Sequence, residues 1–295
     1  MTLTKEFFDF IIERQRIWYK RFVLKEKSPW TSDKILQNYK IINVYRELDR
    51  CTLYILKKMG EVKDRKKLLL NIIFYRFFNQ DNFYETLEIE PFGNLPREDI
   101  IRSIEKIRES GGRIFNNAYL ISSGTKGQKK YLSVLDSIWS IDLDKLTLDL
   151  DNAKTPRESL EILQEIPMVG PFLACEIWTD LTYFNFFKQG WADNDFVNIG
   201  PGAAWGLDIV FGEKLSKKEM EEKLRELYDL QKEFLDNDEW KKIAYKDAFS
   251  NYPFLSITNI EGSLCEFRKY WRLRKGYGKK RYFNPTISQL FCLDF

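Results

Sequence analysis

Whatever chemistry this chain performs is done without histidine, because none occurs among its 295 residues. Ser-His and Cys-His nucleophile pairs, imidazole bases and histidine metal ligands are excluded together. Carboxylates, Lys, Tyr, Cys and backbone remain. Cys51, Cys175, Cys265 and Cys292 lie too far apart in sequence for a zinc or iron–sulfur clasp. They read as reduced thiols, three of them buried, and no metal or cofactor is expected. The clearest chemical device is one that holds an anion. In "EILQEIPMVGPFLACEIW", Glu161 to Trp178, a tight turn separates two helical patterns. Gly170 in a positive-φ turn, followed by Pro171 opening a helix, would point free N–H groups outward at the positive end of a dipole. Such a turn grips phosphate through backbone alone. An ordinary αα-hairpin is the competing reading.

A second device is cationic. The net charge of +3 is the small difference between 47 basic and 44 acidic residues, so the distribution matters more than the total. From Arg268 to Arg281, "RKYWRLRKGYGKKR", eight of fourteen residues are Lys or Arg, interleaved with Tyr270, Trp271 and Tyr277. The segment over 266–283 is either a polyanion-docking surface or a solvated tail.

The elements that must position these groups read as helices. Phe7, Phe8, Ile11, Ile12 and Trp18 recur at near-helical spacing; "TSDKILQNY" opens with capping residues; "NVYRELDRCTLYILKKMG" continues the pattern to a stop at Gly60. "RKKLLLNIIFYRFFN" is apolar enough for the core, and "REDIIRSIEKIRES" is an amphipathic helix ending at Gly111-Gly112. "NNAYLISSGTKGQKKYLSVLDSIW" reads as helix, turn and helix, and "SKKEMEEKLRELYDLQKEFL" as a surface helix. Thr155, Pro156 and Glu158 start a helix running to about Glu165, and the small Ala174 lets it approach its successor. Charge arrives too early for a signal peptide, and no apolar run is long enough for a bilayer, so a cytoplasmic protein is expected. The sequence predicts an all-α fold over 1–295, a single two-lobed unit without linker or repeat.

"LQEIPMVGPFLACEI" resembles the helix-hairpin-helix element of DNA glycosylases, here over 155–183. "ERQRIWYKR", "PWTSDKILQNYKIINVYRELDR", "DFVNIGPGAAWGL" and "SLCEFRKY" resemble, in that order, a glycosylase-related family tied to hypermodified pyrimidines in phage DNA. Its members include α-glutamyl/putrescinyl thymine pyrophosphorylases, the helical domains of 5-hydroxymethyluracil DNA kinases and bacterial anti-phage glycosylases acting on α-glucosylated hydroxymethylcytosine.

The resemblance implies a two-lobed glycosylase-like fold with a catalytic aspartate on the loop 190–206, Asp195 first and Asp193 second, unless either merely caps the next helix. It implies a base pocket near Trp191, Phe196, Asn198 and Trp205, and a hairpin contact to DNA through Met168, Val169, Gly170 and Phe172. On a helix carrying "NVYRELDR", Asn43 and Arg46 either hydrogen-bond an enlarged base or belong to a salt-bridged face. Lys269, Arg272, Arg274 and Lys275 are the candidate DNA contacts of the basic segment. Pro171 and Phe172 stand where bifunctional glycosylases carry a lysine, so the implied activity is monofunctional: a modified pyrimidine is excised and an abasic site left. The implied partner is double-stranded DNA containing modified bases, with no membrane. A hypermodification transferase displacing pyrophosphate, or a non-catalytic DNA-binding module partnering a kinase, are the alternatives. Neither "NIGPGAAWG" nor "SSGTKGQKK" fits the GxxxxGK[ST] phosphate loop, so a kinase reaction would need a separate subunit. Gly200-Pro201-Gly202 reads as a turn that fixes the aspartate loop and cradles a phosphate.

Overall fold

The computed structural model describes residues 2–87, 97–116, 121, 124, 126–246, 254–279 and 281–283. Cys292, Lys280 and most of the helix expected ahead of the turn at Gly124 and Gly127 (117–120, 122 and 123) lie outside the described residues.

Those residues are all-α. In chain order the helices are α1 (Thr4–Trp18), which runs on into a π-turn at Tyr19–Val23, α2 (Lys34–Asn38), α3 (Arg50–Met59), α4 (Arg65–Phe78) and α5 (Asp81–Thr86). There follow α6 (Arg97–Glu109), α7 (Lys130–Trp139), α8 (Leu143–Asn152), α9 (Pro156–Gln164) and α10 (Pro171–Tyr183). The last are α11 (Pro201–Phe211), α12 (Lys217–Leu235), α13 (Asp238–Ile243) and α14 (Ile257–Arg274). Among the described residues the β-type pairing is an isolated antiparallel bridge between Tyr39 and Tyr282. No helix among them is long and apolar enough to cross a membrane.

Local chemistry explains the helix starts. Asp33, Asp64, Asp142, Thr155, Ser216, Asn237 and Ser256 each accept a hydrogen bond from a first-turn amide. Ser216 and Glu219 complete a reciprocal capping box. At α9, Thr155 accepts from Glu158 N–H at 3.1 Å, while the Glu158 carboxylate reaches one residue further back, to Lys154 N–H at 2.6 Å.

The chain divides into two units, 1–50 with 199–295, and 51–198. In the unit 51–198, α4 lies at the centre, with Leu68, Leu69 and Ile72 to Phe78 buried. It packs against α10, which pairs with α9. Arg76 of α4 and Asp180 of α10, 1% and 0% exposed, form an ion pair at 2.5 Å. Arg76 also donates to Asn79 and Thr52. The α9–α10 hairpin is locked by buried Ala174 and by Trp178 Nε1 donating to Ser159 Oγ at 2.8 Å. Its turn departs from expectation. Gly170 has φ −88°, an extended N-cap, and the left-handed residue is Met168 at φ 66°. Chain reversal is finished before the glycine, which is left to enter α10.

In the other unit, Phe7, Phe8, Leu224, Leu227, Leu235, Trp240, Ile260 and Phe267 form a core between α1, α12, α13 and α14. The closest helix pair is α11 with α14. A Cβ on Gly206 would stand 2.4 Å from the Leu264 carbonyl oxygen, and one on Gly202 2.4 Å from Cys265 Sγ. Glycines four apart put both bare positions on one face, so the backbones nearly touch. The described cysteines, Cys51, Cys175 and Cys265, are half-buried rather than buried.

Candidate functional site

The helix expected over 43–60 begins only at Arg50, and the segment 39–49 is a strap across α1 and α14. Only Arg46–Leu48 form a single 3-10 turn, and Tyr45 and Asp49 are extended. Side chains have taken the backbone groups a helix would use. Arg14 Nε donates to the Ile41 carbonyl at 3.2 Å, Ile42 N–H donates to Glu266 at 3.1 Å, and Arg46 N–H donates to Asn259 Oδ1 at 2.8 Å. Asn43, Arg46 and Arg50 therefore do not share a helical face.

The strap sets a cluster of ionisable groups. Arg14 Nη2 donates to Asn43 Oδ1 at 2.8 Å, and Asn43 Nδ2 donates to the Leu48 carbonyl at 2.8 Å and to Asp49 at 3.4 Å. Both ends of the Asn43 amide are committed within the protein. Glu266, 2% exposed, is paired with Lys269. Burial, then the Glu266 carboxylate, pushes the Asp49 carboxyl up to about 6. Burial lowers the Arg14 guanidinium to about 10 against the pull of Asp49 and Glu266. Burying charge is costly unless it is paired, and here Glu266 has Lys269 while Asp49 is offset by Arg14 and Arg46.

The expected DNA contacts of α14 are not a tail, because Lys269, Arg272 and Arg274 belong to its last turns. On a helical wheel Glu261, Cys265, Arg268 and Arg272 form one stripe, Asn259 and Glu266 another, and Lys269 lies between. The first stripe faces α11. Trp205 of α11 is 45% exposed, and the guanidinium carbons of Arg268 and Arg272 stand 5.4 and 4.8 Å from its ring centroid. Arg272 also lies 5.5 Å from the Tyr277 ring, and Lys275 lies 5.0 Å from Trp271. Arg274 is tied to Glu6 at 3.0 Å. The phosphate cradle expected at Gly200-Pro201-Gly202 is filled by protein. Gly200 N–H donates to Glu261 at 2.9 Å, so a carboxylate already sits at the positive end of α11.

Of the expected aspartate loop, 190–198 with both aspartates belongs to the unit 51–198 and the rest to the other unit. Asp195 is exposed and its carboxylate accepts from Ala192 N–H at 2.8 Å, closing its own turn, whereas Asp193 is 5% exposed. Trp191 packs against Phe187 with centroids 5.5 Å apart, and Phe196 meets Trp178 edge-on at 6.1 Å under the Arg157 guanidinium. Asn198 is half-buried. At the hairpin Val169 is buried, Met168 half-buried, and Gly170 and Phe172 are exposed, Phe172 at 52%. Asn43, Arg46, Trp205 and the α14 cations belong to the other unit.

Sequence spacing had no means of showing the brace. The residues that hold the strap lie up to 224 positions from their partners, as for Ile42 and Glu266. A usable signal was present for Gly202 and Gly206, whose spacing of four marks a close helix contact.

Comparison with known proteins decides the family. The model of the 5-hmdU DNA kinase helical domain matches residues 1–280. The chain belongs to this family. A 5-hmdU DNA kinase of Bacillus phage SP10 is 29% identical over 334 aligned positions, which cover 98% of this chain and 51% of that protein. The chain thus spans about half the length of the curated relative it matches. No solved structure matches it. These findings overturn the expected monofunctional DNA N-glycosylase: the named relative is a kinase, a transferase, and the matched region is that kinase's helical domain. The hypermodified-pyrimidine branch of the resemblance stands, and nothing in the matches extends to glycosylases.

Proposed function

We propose that this chain is a DNA-recognition domain that holds a modified pyrimidine nucleotide for a phosphotransfer centre supplied by other residues than its own. The observation that carries this reading is the match of a kinase's helical domain along residues 1–280. Two features support the division of labour. No GxxxxGK[ST] phosphate loop occurs in the sequence. The glycine turn nearest to one has its first amide occupied by Glu261. Recognition by a kinase's helical domain calls for a rigid surface with cationic groups for the backbone and polar groups for the base. The braced strap 39–49 and the arginine-bearing face of α14 are the described surfaces with that chemistry. The exposed hairpin turn at Gly170 and Phe172 is a further candidate for backbone contact.

The test is binding and phosphoryl transfer measured side by side. Fluorescence anisotropy with duplexes containing either 5-hydroxymethyldeoxyuridine or thymidine should show binding, tighter to the modified duplex. Labelled ATP should leave no phosphate on either duplex with this chain alone. Absence of binding to both duplexes, or phosphate transfer by the isolated chain, refutes the proposal.

A further inference from the structure

We propose that Arg268 and Arg272, held over Trp205, form a phosphodiester clamp that grips the nucleic-acid backbone without regard to base. The proposal rests on the DNA-recognition reading and assigns it a surface.

Arg268 and Arg272 are one helical turn apart, both within 5.4 Å of the same indole centroid, so two like charges are held side by side. That arrangement is unfavourable unless something anionic completes it. Elsewhere arginines find carboxylates: Arg65 has Asp151, Arg76 has Asp180 and Arg274 has Glu6. Among the described residues no carboxylate lies within ion-pair distance of Arg268 or Arg272. Nor can nearby sequence supply one, since Phe267 to Phe283 contains no Asp or Glu. The Nε–H of each arginine is shut from solvent without an acceptor. The residues are half-exposed, which leaves the terminal nitrogens as the outward donors.

Trp205 explains why the pair is presented rather than splayed. Its ring attracts both guanidiniums through the π face, worth about 0.5–1 kcal/mol each at an exposed site, and neutralises neither. Its own position is fixed because Gly202 and Gly206, on the adjoining face of α11, seat that helix directly on α14. Two preorganised guanidinium forks suit phosphate oxygens, which they can engage bidentately. Exposed Lys275 and Lys279 extend the same cationic edge. An acidic lipid surface offers the same charge. A rigid pair of planar forks, in a family of DNA kinases, favours the phosphodiester backbone.

The test uses the full chain and a duplex oligonucleotide, with anisotropy read across a salt series. Arg268→Ala and Arg272→Ala should each lower the slope of log K against log salt by roughly one and weaken binding by about 10-fold at low salt, equally for modified and unmodified duplexes. The double Arg→Lys variant should keep the slope and lose affinity. Trp205→Phe, which retains a smaller ring and the charge count, should also keep the slope while binding less tightly. Arg225→Ala on α12 should change nothing. Unchanged slopes in both alanine variants, with circular dichroism as for the unaltered chain, overturn the clamp. Should an alanine variant fail to fold, the Arg→Lys and Trp205→Phe variants decide: wild-type affinity in both overturns it. Loss of binding to phosphatidylcholine–phosphatidylglycerol vesicles with duplex binding intact would assign the patch to membranes, and likewise overturns it. The clamp is indifferent to base, so lack of preference for the modified duplex would refute the proposed function and leave the clamp standing.

Discussion

Asp49→Asn should stabilise the protein at neutral pH. In the folded chain burial, and then Glu266, raise the Asp49 carboxyl from 3.8 to about 6, against the opposing influence of Arg14, Arg46 and Asn43. A folded-state value above the unfolded one means that the native state holds the proton more tightly. The stability linked to that proton is complete below the unfolded value and is lost as pH rises through about 6. The rise from 3.8 to about 6 covers roughly two units at about 1.36 kcal/mol each, a ceiling of about 3 kcal/mol. The residue is only half-buried, and solvent screening brings the working range to about 1–3 kcal/mol. Asparagine has the shape of the protonated acid, still offers Asn43 an acceptor oxygen, and cannot ionise. Urea denaturation of both proteins from pH 4 to 8 reads the effect directly, because titrating groups not coupled to Asp49 cancel in the difference. The two should agree within about 0.5 kcal/mol near pH 4, separate between pH 4 and 6, and differ by about 1–3 kcal/mol in favour of the variant at pH 7. A variant less stable than the parent at pH 7 would mean that attraction between Asp49 and Arg14 outweighs the burial of charge, and the reasoning would be wrong.

Arg76→Leu should cost about 3–5 kcal/mol in urea denaturation, because the fully buried Asp180 loses its guanidinium. Adding Asp180→Leu should recover most of that, and failure to recover would make the hydrogen bonds of Arg76 to Asn79 and Thr52 the larger contribution. Gly206→Ala should lose about 1–3 kcal/mol, since its Cβ would stand 2.4 Å from the Leu264 carbonyl. Gly170→Ala should lose no more than about 1 kcal/mol, the N-cap preference for Gly over Ala, because φ is −88° and nothing lies within 4 Å of the added carbon. A large loss at Gly170 would contradict the extended N-cap geometry.

Much of the helical framework was legible because its signals are local. The capping residues of "TSDKILQNY", the Thr155-Pro156 start and the apolar run of α4 each act within one or two turns of their own sequence. The same locality produced the errors. "NVYRELDR" has helical spacing, yet Asn259 takes the Arg46 amide from 213 residues away, and Glu266 that of the preceding Ile42 from 224. Gly170 looked like the residue needing positive φ, but Met168 turns the chain first. "NIGPGAAWG" looked like a phosphate turn, and its glycines instead serve helix contact while Glu261 occupies the amide.

By itself the sequence determined an all-α protein without histidine chemistry, the helix starts at "TSDKILQNY" and Thr155, and a cationic stretch over 268–281. Only tertiary structure decided that the stretch is helix as far as Arg274, that Trp205 carries two of its arginines, and that the strap 39–49 is braced by α1 and α14. The reason is physical: a cap or an amphipathic period is satisfied by near neighbours in the chain. The state of a buried carboxylate or a guanidinium depends on which distant group the fold brings against it.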